Sequence, residues 1–285
     1  MRILLLGLAA FFAFGAIAGK PKPKKKDELV IIHTEFGDMT VLLYEETPLH
    51  KANFLKLAKN GYYDSTIWHR VIEDFMVQGG DVTKKSGLTD FDNEMIEAEF
   101  VKKFHHKKGA LAAARTNNPE KKSSSCQFYI VQGKVFDRME LEIDEPKLNQ
   151  GLGQLLAMAG TDTIRQKLQA IAETRDNEKF RTYCASLKGV IKEHTGIDAV
   201  KEMSPTRIND YSTIGGTPHL DDTYTVYGEV IEGIEVVDKL AAVETLPGDR
   251  PKETVYMTME VFVEKTKNIT EKYGYVYPPV EKKKK

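Results

Sequence analysis

Residues Trp68 to Asp81 read WHRVIEDFMVQGGD. The stretch from Trp68 to Gln78 reads as a strand, and Gly79-Gly80-Asp81 as the tight turn that ends it. A glycine pair beside an acid can also cradle a phosphate, but the Gly-Lys-Ser/Thr that completes a P-loop is missing. Outward from this stretch, alternating Val30 and Ile32, then Met39, Val41 and Leu43, read as a hairpin around Gly37-Asp38. A helix over about Leu49 to Lys59 follows, ended by Gly61. Further strands are read at Ala110–Arg115, Gln127–Gln132, Thr225–Val230 and Val255–Val263, with a second helix over Glu235–Ala242.

Three ordered segments resemble the cyclophilin peptidyl-prolyl isomerases. The first is the opening stretch, similar to HRVIxxFMxQGGD; the second is Gly109–Arg115 (GALAAAR) with Ser125–Val131 (SCQFYIV); the third is His219–Gly228 (HLDDTYTVYG). Weaker similarity from Val30 and again from Tyr211 to about Val263 brings the resemblance to more than half of the chain. It implies a mainly β fold, a closed antiparallel eight-stranded barrel capped by two helices, and no cofactor or metal. It nominates Arg70 as the catalytic residue and Phe75, Met76 and Gln78 as its neighbours in one groove. It further assigns Ala114 and Arg115 as the strand edge for substrate backbone, Gln127 as a polar wall, Tyr129 as an aromatic floor, Leu220 as pocket wall and Tyr224 as rim. The chain departs from the family with Trp68 and Tyr129 where Phe is usual, Cys126 for Ser, and His219 where many members have the Trp associated with cyclosporin contact.

The implied chemistry suits those residue types. Rotation about an X-Pro bond breaks no covalent bond, yet it gives up amide resonance against a barrier of ~18–20 kcal/mol. A nucleophile or metal is not required. At the twisted transition state the prolyl nitrogen regains a lone pair, which a fixed guanidinium such as Arg70 hydrogen-bonds better than it does the planar ground state. One such bond supplies roughly 1.5–3 kcal/mol, so clamping of the ring and an amide such as Gln78 on the backbone must supply the rest.

Between about Phe136 and Asp210 the strand pattern gives way to helical spacing. Ile164, Leu168, Ile171 and Ala172 predict one amphipathic helix, and Phe180, Cys184, Leu187 and Ile191 a second, so an inserted α-helical lobe is expected there. Met1-Arg2, the apolar run ILLLGLAAFFAFGAIA and the small residues at Ala16 and Ala18 read as a secretory signal peptide over 1–18. That predicts an exported protein, periplasmic or secreted, without stable membrane insertion after cleavage; an uncleaved anchor is the alternative. A basic linker is expected over 19–28, the isomerase domain over 29–265, and a Lys-rich tail over 266–285. Taking Arg2, the five lysines between 20 and 26 and Lys282–Lys285 from a net charge of −1 leaves a body of −11. An acidic body makes nucleic acid an unexpected partner.

Cys126 and Cys184 are read as small apolar residues. Adjacent His105 and His106 point apart on extended chain, and His106 is read as support for the fold rather than as a ligand. The expected partners are proline-containing unfolded or flexible polypeptides. A rival of another class is a chaperone or peptide-binding module that uses the same groove together with the insertion. The intact set of Arg70, Phe75, Met76 and Gln78 favours the enzyme, because holding a peptide would not require the guanidinium. A carbohydrate- or nucleic-acid-binding barrel would need exposed aromatics or a basic face, and neither stands out.

Overall fold

The alternating apolar positions near the start pair as a hairpin in the computed structural model, which describes residues 24–85 and 91–277. Strand β1 (Lys26–Thr34) returns as β2 (Gly37–Leu43), with Val30 opposite Val41 and Ile32 opposite Met39. Helix α1 (Pro48–Lys59) opens on a proline, whose missing N–H is no loss in a first turn. Next come β3 (Thr66–Ile72) and β4 (Met76–Gly79). The single strand expected over Trp68–Gln78 is therefore corrected to a hairpin. Asp74, at φ +61°, reverses the chain, so Ile72 pairs with Met76.

Strands β5 (Ala110–Ala113) and β6 (Phe128–Val131) precede the insertion. Its helices are α2 (Arg138–Glu142), α3 (Glu145–Leu156), α4 (Asp162–Glu173), α5 (Asn177–Ser186), α6 (Lys188–Thr195) and α7 (Pro205–Thr213). The chain then continues through β7 (Val226–Glu232), α8 (Ile234–Ala241), a small ribbon of β8 (Thr245–Leu246) with β9 (Arg250–Pro251), and β10 (Tyr256–Lys265).

Eight strands close into a barrel in the order β1-β10-β3-β4-β6-β5-β7-β2. Every junction from β1 through β2, β7, β5, β6, β4 and β3 to β10 is antiparallel. With an even number of strands, the last junction, β10 beside β1, must be antiparallel too. Inside lie Val30, Ile32, Val41, Leu43, Val77, Leu111, Phe128 and Ile130. Phe54, Leu57 and Ala58 of α1 and Val236, Val237 and Leu240 of α8 join the same core. Each such side chain contributes roughly 1.5–3 kcal/mol when fully buried, so the two capping helices are held mainly by one apolar face each.

The insertion contains six helices rather than the expected two. The apolar spacing from Phe180 to Ile191 runs on without interruption, but Leu187, at φ −82° and ψ −2°, ends α5 and begins α6. Helix α3 lacks a strong pattern because one of its three buried positions, Gly151, is glycine. Gly151 is required there: a Cβ would lie 2.2 Å from Ile191 Cγ2. Helices α3 to α6 enclose their own core, with Leu148, Leu155, Leu168, Ile171, Cys184 and Ile191. Helices α2 and α7 form a second, smaller cluster through Leu141, Ile208 and Tyr211. Cys126 and Cys184 are both buried and unbridged, in the barrel core and the insertion core respectively.

Residues 24–27 and 264–277 form a separate small unit. There α9 (Thr266–Tyr273) starts where Thr266 donates its N–H to the Lys25 carbonyl and its hydroxyl to that of Lys24; Gly274 at φ +72° ends it. The start of the expected tail is thus helical, and β1 already begins at Lys26, inside the expected linker. The signal peptide expected over 1–18 lies outside the described residues. No helix among the described residues is long and apolar enough to cross a membrane.

Candidate active site

Plain alternation along β3 would turn Trp68 and Arg70 to the same side. A register shift between them breaks that rule. The extra residue of such a bulge re-aims the side chain that follows it, so Trp68 and Val71 both stay in the barrel core while Arg70 faces out. Across the sheet, Arg70 pairs with Gln78, Gln78 with Tyr129, and Tyr129 with Ala112. One cross-strand row therefore carries the guanidinium, the amide and the aromatic ring side by side. On β6 the neighbours Phe128 and Ile130 point inward, which turns Tyr129 outward.

Around this row lies a cleft of about 100 Å³ lined by Arg70, Phe75, Met76, Gln78, Ala114, Arg115, Tyr129, Leu220 and Tyr224. Its volume is well below the ~300–1,000 Å³ of a drug-sized site, which suits a single side chain. Gln127 stands at the edge, its Oε1 accepting from Gln78 Nε2 at 3.1 Å. Phe75 is half-buried and stacks on His219, with ring centroids 5.5 Å apart. Arg115 lays its guanidinium over the Tyr224 ring at 4.6 Å and donates to the Thr223 carbonyl.

The expectation that Ala114 offers a free strand edge is corrected. Strand β5 ends at Ala113, and the Ala114 N–H donates to Gln127 while its carbonyl accepts from Ser124. Ala114 lines the cleft beside Arg115 instead.

Beneath the floor lies a polar chain that the sequence reading did not assemble. The Tyr129 hydroxyl meets His106 Nε2 at 2.9 Å, and both His106 Nδ1 and its backbone N–H donate to one Asp221 oxygen at 2.9 Å. Tyr211 donates its hydroxyl to the other Asp221 oxygen at 2.7 Å. Burial holds the His106 ring below the ordinary histidine pKa despite its acid partner. Burial works against ionisation of Asp221, but the donors from His106 and Tyr211 outweigh it and hold the carboxyl below its usual range. His105 points elsewhere, to Asp210 at 2.8 Å, as expected of adjacent histidines. The one available signal was a Tyr at 129 where the resemblance has Phe, a hydroxyl that needs a partner once its ring is buried. Among the described residues no cluster of three or more His, Cys, Asp or Glu is placed to hold a metal ion.

A family model described as cyclophilin type peptidyl-prolyl cis-trans isomerase matches residues 29–183 and 207–261. A Streptococcus pyogenes chain named as a bifunctional phosphatase/peptidyl-prolyl cis-trans isomerase is 32% identical over 82% of this chain, which spans 38% of that relative's length. A Staphylococcus saprophyticus chain named as a peptidyl-prolyl cis-trans isomerase is 32% identical, covering 78% of this chain and 85% of its own length. A crystal structure of a cyclophilin type isomerase from Cryptosporidium parvum, in the presence of the dipeptide Ala-Pro, is similar at 18% identity. It covers 83% of this chain and 98% of its own, with a TM-score of 0.47.

Proposed function

The chain belongs to the cyclophilin-type peptidyl-prolyl cis-trans isomerases, and from that premise we propose that Arg70 drives the isomerisation over a proline pocket floored by Tyr129. The observation that carries this reading is the row Arg70–Gln78–Tyr129, which sets a hydrogen-bond donor beside a cleft sized for one ring. Phe75, Met76 and Leu220 clamp the prolyl ring, Gln78 and Gln127 hold the flanking backbone, and Arg115 with Tyr224 borders the exit. As the amide twists, the Arg70 guanidinium donates to the prolyl nitrogen, whose lone pair exists only away from planarity. A peptide assay on wild type and Arg70→Ala tests the assignment, since the groove of a pure peptide binder would not lose turnover with the guanidinium.

Export of the protein, with action on folding exported chains, is part of the same proposal. The basic start, apolar run and small residues of positions 1–18 support it. N-terminal sequencing from the producing cell tests it: a start near Gly19 is expected, and an intact Met1 in a membrane fraction would replace export with anchoring.

A further inference from the structure

Tyr129 lines the cleft with its ring while its hydroxyl is engaged inside the protein. We propose that helix α7 of the insertion positions the proline pocket: Tyr211 fixes Asp221, Asp221 fixes His106 in one tautomer, and His106 holds the Tyr129 ring in place as the floor. This rests on the reading of Tyr129 as pocket floor, and it makes Tyr211, Asp221 and His106 positioning residues.

The direction of every bond in the chain is determined. A phenol facing a carboxylate can only donate, so Tyr211 gives its proton to Asp221. One Asp221 oxygen receives both His106 N–H groups; with the ring neutral, as its burial favours, Nδ1 carries the single ring proton and Nε2 is left as acceptor. Tyr129 must then donate to Nε2. No member can turn without leaving the next unpaired. Tyr211 is 0% exposed, His106 1% and Tyr129 4%, so water does not substitute readily for a lost partner.

Two further contacts tie α7 to the same place. Arg207 Nη1 approaches both Asp221 and Asp222, and its Nη2 donates to the Lys102 carbonyl at 3.0 Å. Gly216 lets the chain after α7 close in: a Cβ there would lie 2.3 Å from the His106 carbonyl and 2.6 Å from the Tyr211 ring.

A phenylalanine floor would need no such tether. A phenol that loses its buried partner is different, since it finds a new one only by turning its hydroxyl toward the groove. Loss of the relay should therefore harm the enzyme only while residue 129 carries the hydroxyl, which separates positioning from general destabilisation.

The test measures KM and kcat on a prolyl tetrapeptide for wild type, His106→Leu and Tyr211→Phe, and for each of them combined with Tyr129→Phe. His106→Leu and Tyr211→Phe are expected to raise KM roughly 3- to 10-fold, the value of one hydrogen bond, with kcat changed less. Adding Tyr129→Phe to either should return KM to within about twofold of Tyr129→Phe alone. Unchanged KM in both relay variants, or a rise that persists without the Tyr129 hydroxyl, would overturn the proposal. If His106→Leu does not fold, Tyr211→Phe, which removes one oxygen, carries the comparison. Nitrogen-15 NMR of the wild-type imidazole supplies a readout independent of turnover: His106 protonated on Nδ1 and bare on Nε2 is expected, and the opposite tautomer overturns the relay. A wild type without isomerase activity would count against the groove assignment, and the tautomer alone would then decide the relay.

Discussion

Arg70 meets Asp249 through Nε, at 3.3 Å, so the carboxylate engages the inner nitrogen of the guanidinium and the terminal nitrogens have no partner among the described residues. Asp249 is itself fastened, since its carbonyl accepts from the Val71 N–H at 2.7 Å. The ion pair orients the guanidinium without occupying the donors proposed to face substrate.

Arg70→Ala is expected to lower kcat/KM by roughly 10- to 150-fold, the equivalent of one charge-assisted hydrogen bond, with stability nearly unchanged. Asp249→Ala should cost less, at most about fivefold, because a half-exposed pair is worth about 0–1 kcal/mol. Peptide kinetics in parallel with a urea melt check both. Equal losses in the two variants would mean that Asp249 does more than orient.

Phe75→Ala should raise KM for prolyl peptides, and it should destabilise the fold by less than the ~3–5 kcal/mol of a fully buried Phe, because this ring is only half-buried. Its partner is His219, so the loss of the stack also frees that imidazole. Kinetics unchanged in a folded variant would show that the ring contributes nothing to the cleft.

His50, His69 and His106 all lie below the ordinary histidine pKa because burial disfavours the charged ring. The unfolded chain takes up these protons near pH ~6.5 and the folded chain does not. Stability should therefore fall as pH drops below about 6.5, by at most about 1.4 kcal/mol per histidine per pH unit, and level off where the folded rings protonate. Asp221, with its depressed pKa, acts in a separate window, losing its contribution only as pH falls below about 4. Urea midpoints between pH 7.5 and 5.5 measure the histidine effect; a flat profile would contradict it.

The insertion divides into an outer lobe, α3 to α6, and the inner pair α2 and α7. Replacing Glu145–Asp198 with a short Gly-Ser turn removes only the lobe, because Asp144 N–H already donates to the Ala199 carbonyl at 2.9 Å. Tetrapeptide kcat/KM should stay within about threefold, a barrier change below ~1 kcal/mol, while catalysis of protein refolding should fall further. Extending the deletion through Asn209 also removes Arg207 and should impair tetrapeptide turnover. Equal turnover in both deletions, each folded by circular dichroism, would separate α7 from the pocket.

The barrel was legible because its strands alternate and its signature segments are contiguous. Val30, Ile32, Val41 and Leu43 each announce their face within a few residues. The reversal at Asp74 was hidden because polar residues also lie within β3 (His69, Arg70) and β4 (Gln78), so Glu73-Asp74 did not stand out as a turn, and Phe75 follows at once. Nine of the residues nominated for the groove do line one cleft, but the bulge that turns Arg70 outward has no marker in composition. In the insertion, helical spacing showed that helices exist and not where they break, since Leu187 bends the chain while keeping the apolar period. The chain of Tyr129, His106, Asp221 and Tyr211 joins distant segments, and no local pattern reports a hydrogen bond across such separations.

The stem at Asp144 and Ala199 also governs how the lobe and barrel share their thermodynamics. While the lobe is folded, its two ends are held side by side, and the barrel meets an excursion that is effectively a few residues long. If the lobe unfolds, the same 54 residues from Glu145 to Asp198 become a flexible loop. Loop-closure entropy then charges the barrel roughly 2–3 kcal/mol more than a short turn would. A substitution such as Gly151→Val, which drives a side chain into Ile191, would thus be felt at a proline pocket it never touches, through the entropy of the connection and without any relayed contact.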